Sequence, residues 1–281
     1  MIFLLAAIAC SAGLTLILKA VPSSQGSRYV ILLGNYTACV ICALVNAQNP
    51  AAGADYAAWG IGLIGGVLFL ASLAVMQASI QRNGAAMTSA FGKLGMTVNL
   101  ALSFFFFREE PRLIQLAGVL LVIPAVILIT RPSDEGTAGR SLVLPLLSGT
   151  LLLSGLAEGA AKFFEHYGNP GQSGSFFLIL FSTAGLLTAC LLVYDWKANG
   201  AKIIAREYLL GMLAGIPNYF ASFFLLRALM VLPSYIVYPA VGSGTIPVVA
   251  LVSAAVFHER LAKREIAGIC LILLALVLMN L

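Results

Sequence analysis

Apolar residues in this chain come in long, nearly unbroken runs, without the three-or-four spacing of a surface helix or the strict alternation of a half-buried strand. A run of about 20 apolar residues is long enough to cross a hydrocarbon core of about 30 Å. Reading such runs between charged or Gly/Pro/Asn-rich breaks predicts ten helices, near 2–20, 29–47, 57–80, 84–107, 112–130, 141–164, 173–194, 207–231, 234–257 and 264–281. Membrane barrels would show alternating segments of roughly ten residues instead. The pattern predicts an all-α integral membrane protein with ten transmembrane helices. The opening MIFLLAAIACSAGLTLILK has no basic n-region and no small-residue cleavage pattern, which reads as a retained first span.

Composition sharpens this picture. Of 281 residues, 60% are hydrophobic and 10% charged, against about 45–50% and about 25% in soluble domains. Ten spans leave only short loops, so function has to be sought among polar residues inside the bundle. The +5 formal charge is scattered over those loops, a poor footprint for nucleic acid. All five cysteines fall in apolar runs, where extracellular disulfides are not expected. Cys39 and Cys42 have redox-motif spacing without a soluble redox fold around them. His258-Glu259 begins like a metalloprotease helix but lacks the second His. Neither a metal nor a cofactor is expected.

The chain repeats itself. Residues 70–121 lie over residues 220–271 at a constant separation of 150 without gaps. Ala71-Ser72 pairs with Ala221-Ser222, Ala90 with Ala240, Gly92 with Gly242, Phe107-x-Glu109 with Phe257-x-Glu259, and Ala117-Gly118 with Ala267-Gly268. Further upstream the separation becomes 143, where Ser11 and Lys19 sit over Ser154 and Lys162. The unit is five helices, giving repeats over 1–135 and 136–281 within one membrane domain. An odd number of crossings per unit inverts the second copy, the plan of many secondary transporters, whose site lies near the midplane between the halves.

Charge then predicts orientation. Loops after helices 1, 3, 5, 7 and 9 carry ten basic residues, from Arg28 to Arg264, against Arg108 and Arg112 on the other side. By the positive-inside rule those loops are cytoplasmic and both termini lie outside, in a plasma (inner) membrane.

Two stretches carry a resemblance: AFGKLGMTVNLALSFFFFREEPRLIQLAGVLL in the first half and AVGSGTIPVVALVSAAVFHERLAKREIAGICLIL in the second. A small-residue or Pro-containing helix, an acidic residue at the turn and a Gly in the next helix resemble the drug/metabolite transporter superfamily, in particular its ten-helix EamA-like branch. The resemblance implies a gradient-driven carrier, exporting more often than importing. Helix 1 also resembles that of the small multidrug resistance proteins, with Ser11, Thr15 and Lys19 in one copy and Ser154, Glu158 and Lys162 in the other. Where that family carries its cation-binding carboxylate, both copies here have Ser.

Ionisable groups deep in a span are costly and are site candidates by default. Lys93, between Gly92 and Gly95, reads either as a cation facing an anionic substrate group or as a structural partner of a carboxylate such as Glu158. Glu158 and Lys162 are spaced for an intrahelical i, i+4 pair; alternatively Glu158 titrates during transport. Lys19 and Lys162 stand near helix ends, where long cations snorkel, and Arg227, late in the eighth helix, reads either as snorkelling or as closing one gate. In YIVYPAVGSGTIPVV, Pro239 and Pro247 enclose Gly242 and Ser243, a stretch suited to kinking and to offering polar backbone, or else to close packing. Asn99, Asn218 and Tyr238 are further groups able to orient a ligand. Glu109 and Glu259 read as turn caps.

The function these features predict is a secondary active transporter moving a small carboxylate- or phosphate-bearing metabolite such as an amino acid, with protons as the coupling ion and lipid as its surroundings. It is read as no enzyme, either monomer or homodimer. The alternative is a proton-coupled exporter of lipophilic cations, which needs Glu158 in place of the missing carboxylate.

Overall fold

The computed structural model describes residues 1–20, 27–47, 55–83, 91–92, 94–108, 113–130, 143–256 and 263–279. Ten α-helices run through them: α1 Ile2–Ala20, α2 Arg28–Asn46, α3 Tyr56–Asn83, α4 Met96–Phe105, α5 Leu113–Thr130, α6 Leu144–Tyr167, α7 Ser173–Asn199, α8 Ala205–Leu229, α9 Ser234–Val256 and α10 Lys263–Met279. No strand occurs among the described residues. Among the described residues five helical segments, Tyr29–Asn46, Tyr56–Met76, Leu144–Tyr167, Pro170–Asn199 and Ala205–Leu229, are long and apolar enough to cross a membrane. The architecture is that of a helical membrane protein.

Helix boundaries follow local chemistry. Ser27 caps α2, its hydroxyl oxygen accepting from the Tyr29 amide at 3.4 Å, and the Asp55 carboxylate accepts from the Ala58 amide at 2.7 Å at the start of α3. Gly200 ends α7 at φ +62°, where a side chain would be strained. Within the expected helix over 84–107, residues 91–92 and 94 are helical and a turn at Gly95 precedes α4. Around it amides bond three residues back, Gly95 to Gly92 and Val98 to Gly95. Gly95 is held there because α6 passes against its backbone: a Cβ on Gly95 would stand 2.9 Å from the Gly155 nitrogen.

Contacts between helix ends define two faces of the bundle. Ser27 donates to the Asp195 carboxylate and its amide to the Lys202 carbonyl, while Asn83 bonds Val143 through both amide atoms. At the opposite end Gln172 accepts from the Asp55 amide, and the hydroxyls of Ser103 and Ser234 meet at 2.6 Å. Every one of these ties joins a helix from the first 135 residues to one from the remainder.

Packing between helices is also mostly across the halves. α2 packs on α8 and α7, α3 on α7 and α6, α1 on α8 and α9, α4 on α6 and α9, and α5 on α10. Small residues set the closest approaches. On α8, Gly211 and Gly215 seat the backbone of α2, and a Cβ on Gly215 would fall 2.7 Å from the Ala38 Cβ. On α3, Gly62 and Gly66 do the same for α7, where a Cβ on Gly66 would meet the Thr183 Cβ at 2.6 Å. Between these pairs lies an aromatic core. Phe164 stacks on Phe176 at 4.3 Å between centroids, and Phe177 and Phe181 continue to Tyr219 at 5.8 and 6.1 Å.

Candidate functional site

A cavity of about 180 Å³ lies where α1, α3, α6, α7, α8 and α9 meet. Its lining comes from the middle of α1 (Ser11, Leu14, Thr15), α3 (Phe69) and α6 (Ala157, Glu158), and from the first third of α7 and α9. It is therefore central, displaced toward the face where α7 and α9 begin.

Its chemistry is mixed. Phe69, Phe176 and Phe177 provide apolar, aromatic surface, alongside Ser11, Thr15, Ser222 and Asn218, which bring hydroxyl and amide groups. Glu158 is the one charged side chain among the described lining residues. Its position on α6 is fixed from α9, where Tyr238 donates its hydroxyl to the Glu158 carbonyl at 3.2 Å. Asn218 is held in turn by α2, its amide donating to the Asn35 side-chain oxygen at 2.8 Å. A pocket with one carboxylate, aromatic faces and several neutral donors and acceptors suits a small organic ligand bearing an ammonium and other polar groups.

Of the residues singled out in the sequence, Glu158, Asn218, Tyr238 and Gly242 come together around this cavity. Lys93, Glu109 and Glu259 lie outside the described residues. Ser243 is fully buried off the cavity, and its hydroxyl donates to the Pro239 carbonyl within the same helix. That bond serves a helix in which two prolines each remove a backbone donor. Pro239 and Pro247 are both buried inside an uninterrupted α9, and Gly242 approaches α4, where a Cβ would stand 3.5 Å from the Met96 sulfur.

Asn99 also lies off the cavity. It is 1% exposed and faces α6, its Oδ1 3.0 Å from where a Gly159 Cβ would be. Among the described residues neither atom of its amide has a hydrogen-bond partner. Lys162 is buried and pairs with Glu165, three residues on, at 2.7 Å. Its ammonium also stands 5.3 Å from the Phe107 ring centroid. The buried Lys162 ammonium thus has the Glu165 carboxylate and the ring of Phe107, just past the end of α4, beside it. Arg227 sits 5.2 Å over the Phe223 ring. Cys39 donates weakly to the Gly215 carbonyl at 3.3 Å as a packing residue, and all five cysteines are free.

The aromatic surface has no distinct sequence signal, since a phenylalanine facing a cavity and one facing lipid look alike in an apolar run. Ser11 and Thr15 were visible only as counterparts of Ser154 and Glu158.

No family model matches the chain, and no curated protein matches its sequence. Its fold is shared with solved structures, 28 chains in all. One crystal structure superposes with a TM-score of 0.76 over 99% of this chain and 96% of its own, at 13% identity. At that identity the likeness is one of fold alone.

Proposed function

We propose that this protein is a secondary active transporter of the drug/metabolite transporter superfamily, EamA-like branch, built from ten spans as two inverted five-helix repeats. Its cargo is a small zwitterionic or otherwise polar metabolite, with amino acids as the nearest class. The observation that carries this reading is the central cavity, lined from both halves and holding Glu158 among aromatic and hydroxyl groups.

The packing supports the repeat. Adding five to a helix number turns the α1–α8 contact into α6–α3, α2–α8 into α7–α3, and α1–α9 into α6–α4, and each of these contacts occurs. α2–α7, α4–α9 and α5–α10 map onto themselves, as contacts across a pseudo-twofold axis do. The end ties agree with an up-and-down path in which Ser27 and Asn83 share a face with Arg28, Arg82 and Lys202. By the positive-inside rule that face is cytoplasmic, which leaves both termini outside the plasma membrane.

Cavity size favours the small-metabolite reading. Pockets for drug-sized ligands run about 300–1,000 Å³, and about 180 Å³ fits a small metabolite better than a lipophilic drug. Glu158 takes the ammonium of such a substrate, with Asn218, Thr15 and Ser222 serving its neutral polar groups. Lys93, from its place in the sequence, is assigned to the anionic group.

A thermal-shift panel on the purified protein tests this, because a ligand that binds only the folded state raises its melting temperature. Stabilisation by an amino acid, lost in Glu158→Gln, is the expected result. Stabilisation by lipophilic cations alone would replace this reading with the drug-exporter one.

A further inference from the structure

The two halves carry the same serine–glycine trio, and the structure shows the two trios in different states. Across the repeat, Ser72 corresponds to Ser222, Ser154 to Ser11 and Gly92 to Gly242. In one trio Ser72 of α3 and Ser154 of α6 are in contact, hydroxyl to hydroxyl at 3.2 Å. Gly92 lies beside Ser154, a Cβ there standing 3.7 Å from the Thr150 methyl and 3.9 Å from the Ser154 hydroxyl. In the other trio Ser11, Ser222 and Gly242 all line the open cavity. The Ser222 hydroxyl is turned back onto the Asn218 carbonyl at 3.2 Å, and among the described residues no hydrogen bond joins it to Ser11.

We infer that these two serine pairs are the alternating gates of the carrier. In the state seen here the Ser72–Ser154 gate is shut and the Ser11–Ser222 gate is open. Exchange of the two half-structures closes Ser11 on Ser222 beside Gly242, parts Ser72 from Ser154, and rebuilds the cavity against Gly92. A second pair of positions behaves differently: Leu14 and Thr15 of α1 and their counterparts Ala157 and Glu158 of α6 all line the cavity now. Positions whose counterparts share one cavity stay at its centre under the exchange, so Thr15 and Glu158 hold substrate in both states while the serines alternate. This inference rests on the inverted-repeat carrier reading above.

Cross-linking tests it. In the full chain with Cys10, Cys39, Cys42, Cys190 and Cys270 replaced, the pairs Ser72→Cys/Ser154→Cys and Ser11→Cys/Ser222→Cys are oxidised in membranes, separately and together. Each pair alone is expected to cross-link and to cut transport at least tenfold, with recovery on reduction. In the four-cysteine chain, peptide mapping is expected to find one bridge or the other in a molecule, never both. If the cysteine-free chain folds poorly, Ser72→His/Ser154→His and Ser11→His/Ser222→His in the native background report through inhibition by zinc, each pair alone sensitive. Both bridges in one molecule, or no Ser11–Ser222 bridge (and no zinc inhibition of its histidine pair) in a transporting protein, would overturn the gates and leave the carrier standing. Mutually exclusive bridges in a protein that moves no substrate would uphold the two-state exchange while removing the carrier reading.

Discussion

The Tyr238 hydroxyl reaches across from α9 to the main-chain carbonyl of Glu158 at 3.2 Å, so the helix bearing the cavity's carboxylate is positioned by the helix bearing its glycine-rich wall. A net hydrogen bond contributes about 0.5–1.5 kcal/mol. Tyr238→Phe keeps the ring and removes the bond. It is expected to fold, to melt slightly lower and to bind substrate several-fold more weakly, read by thermal shift and by titration with the stabilising ligand.

The seating of α2 on α8 makes a stability prediction with an internal control. A side chain at Gly215 has no room beside Ala38 and the Asn35 backbone, whereas Gly60 on α3 has nothing within 4 Å. Gly215→Leu is expected to lose most of its monodisperse fraction in detergent. Gly60→Leu is expected to run as the parent does, measured by size-exclusion chromatography at matched expression.

Asn99 makes the opposite kind of prediction. A buried amide without partners costs about 1–3 kcal/mol of desolvation, and Asn99 is 1% exposed with neither atom bonded among the described residues. Asn99→Leu removes that penalty at similar volume. Its melting temperature is expected to rise by a few degrees; a fall would mean that the amide has a partner in the membrane.

Lys93 is predicted from sequence alone, as a cation between Gly92 and Gly95 in an apolar run. Lys93→Ala is expected to abolish stabilisation by substrates that carry a carboxylate while leaving the fold intact, read in the same thermal-shift panel. Wild-type response to an anionic substrate would remove Lys93 from the site.

Much of the fold was legible in the sequence because apolar runs and their breaks report helices directly. The described helices fall within the ten expected stretches, give or take a few residues at their ends. The turn at Gly95, inside a stretch expected as one helix, reflects a neighbour outside its own sequence: α6 packs on the Gly95 backbone through Gly155. The site was half legible. Glu158, Asn218, Tyr238 and Gly242 stood out as polar or small groups in apolar runs and converge on one cavity. Ser243 and Asn99 carried the same signal but face neighbouring helices, and helical periodicity is silent about direction when every face of a helix is apolar. Lys162 had two acidic neighbours within reach along its helix, and the pair with Glu165 is the one its spacing had not singled out.

The central claim, that the cavity around Glu158 is the substrate site of a carrier, is tested most directly by flux in proteoliposomes. Purified protein is reconstituted with the amino acid that most raises its melting temperature inside, and uptake of the labelled compound is followed as its outside concentration increases. The account predicts saturable exchange with wild type and at least a tenfold loss with Glu158→Gln at equal incorporation. Flux that rises linearly without saturating, or that Glu158→Gln leaves unchanged, would contradict it.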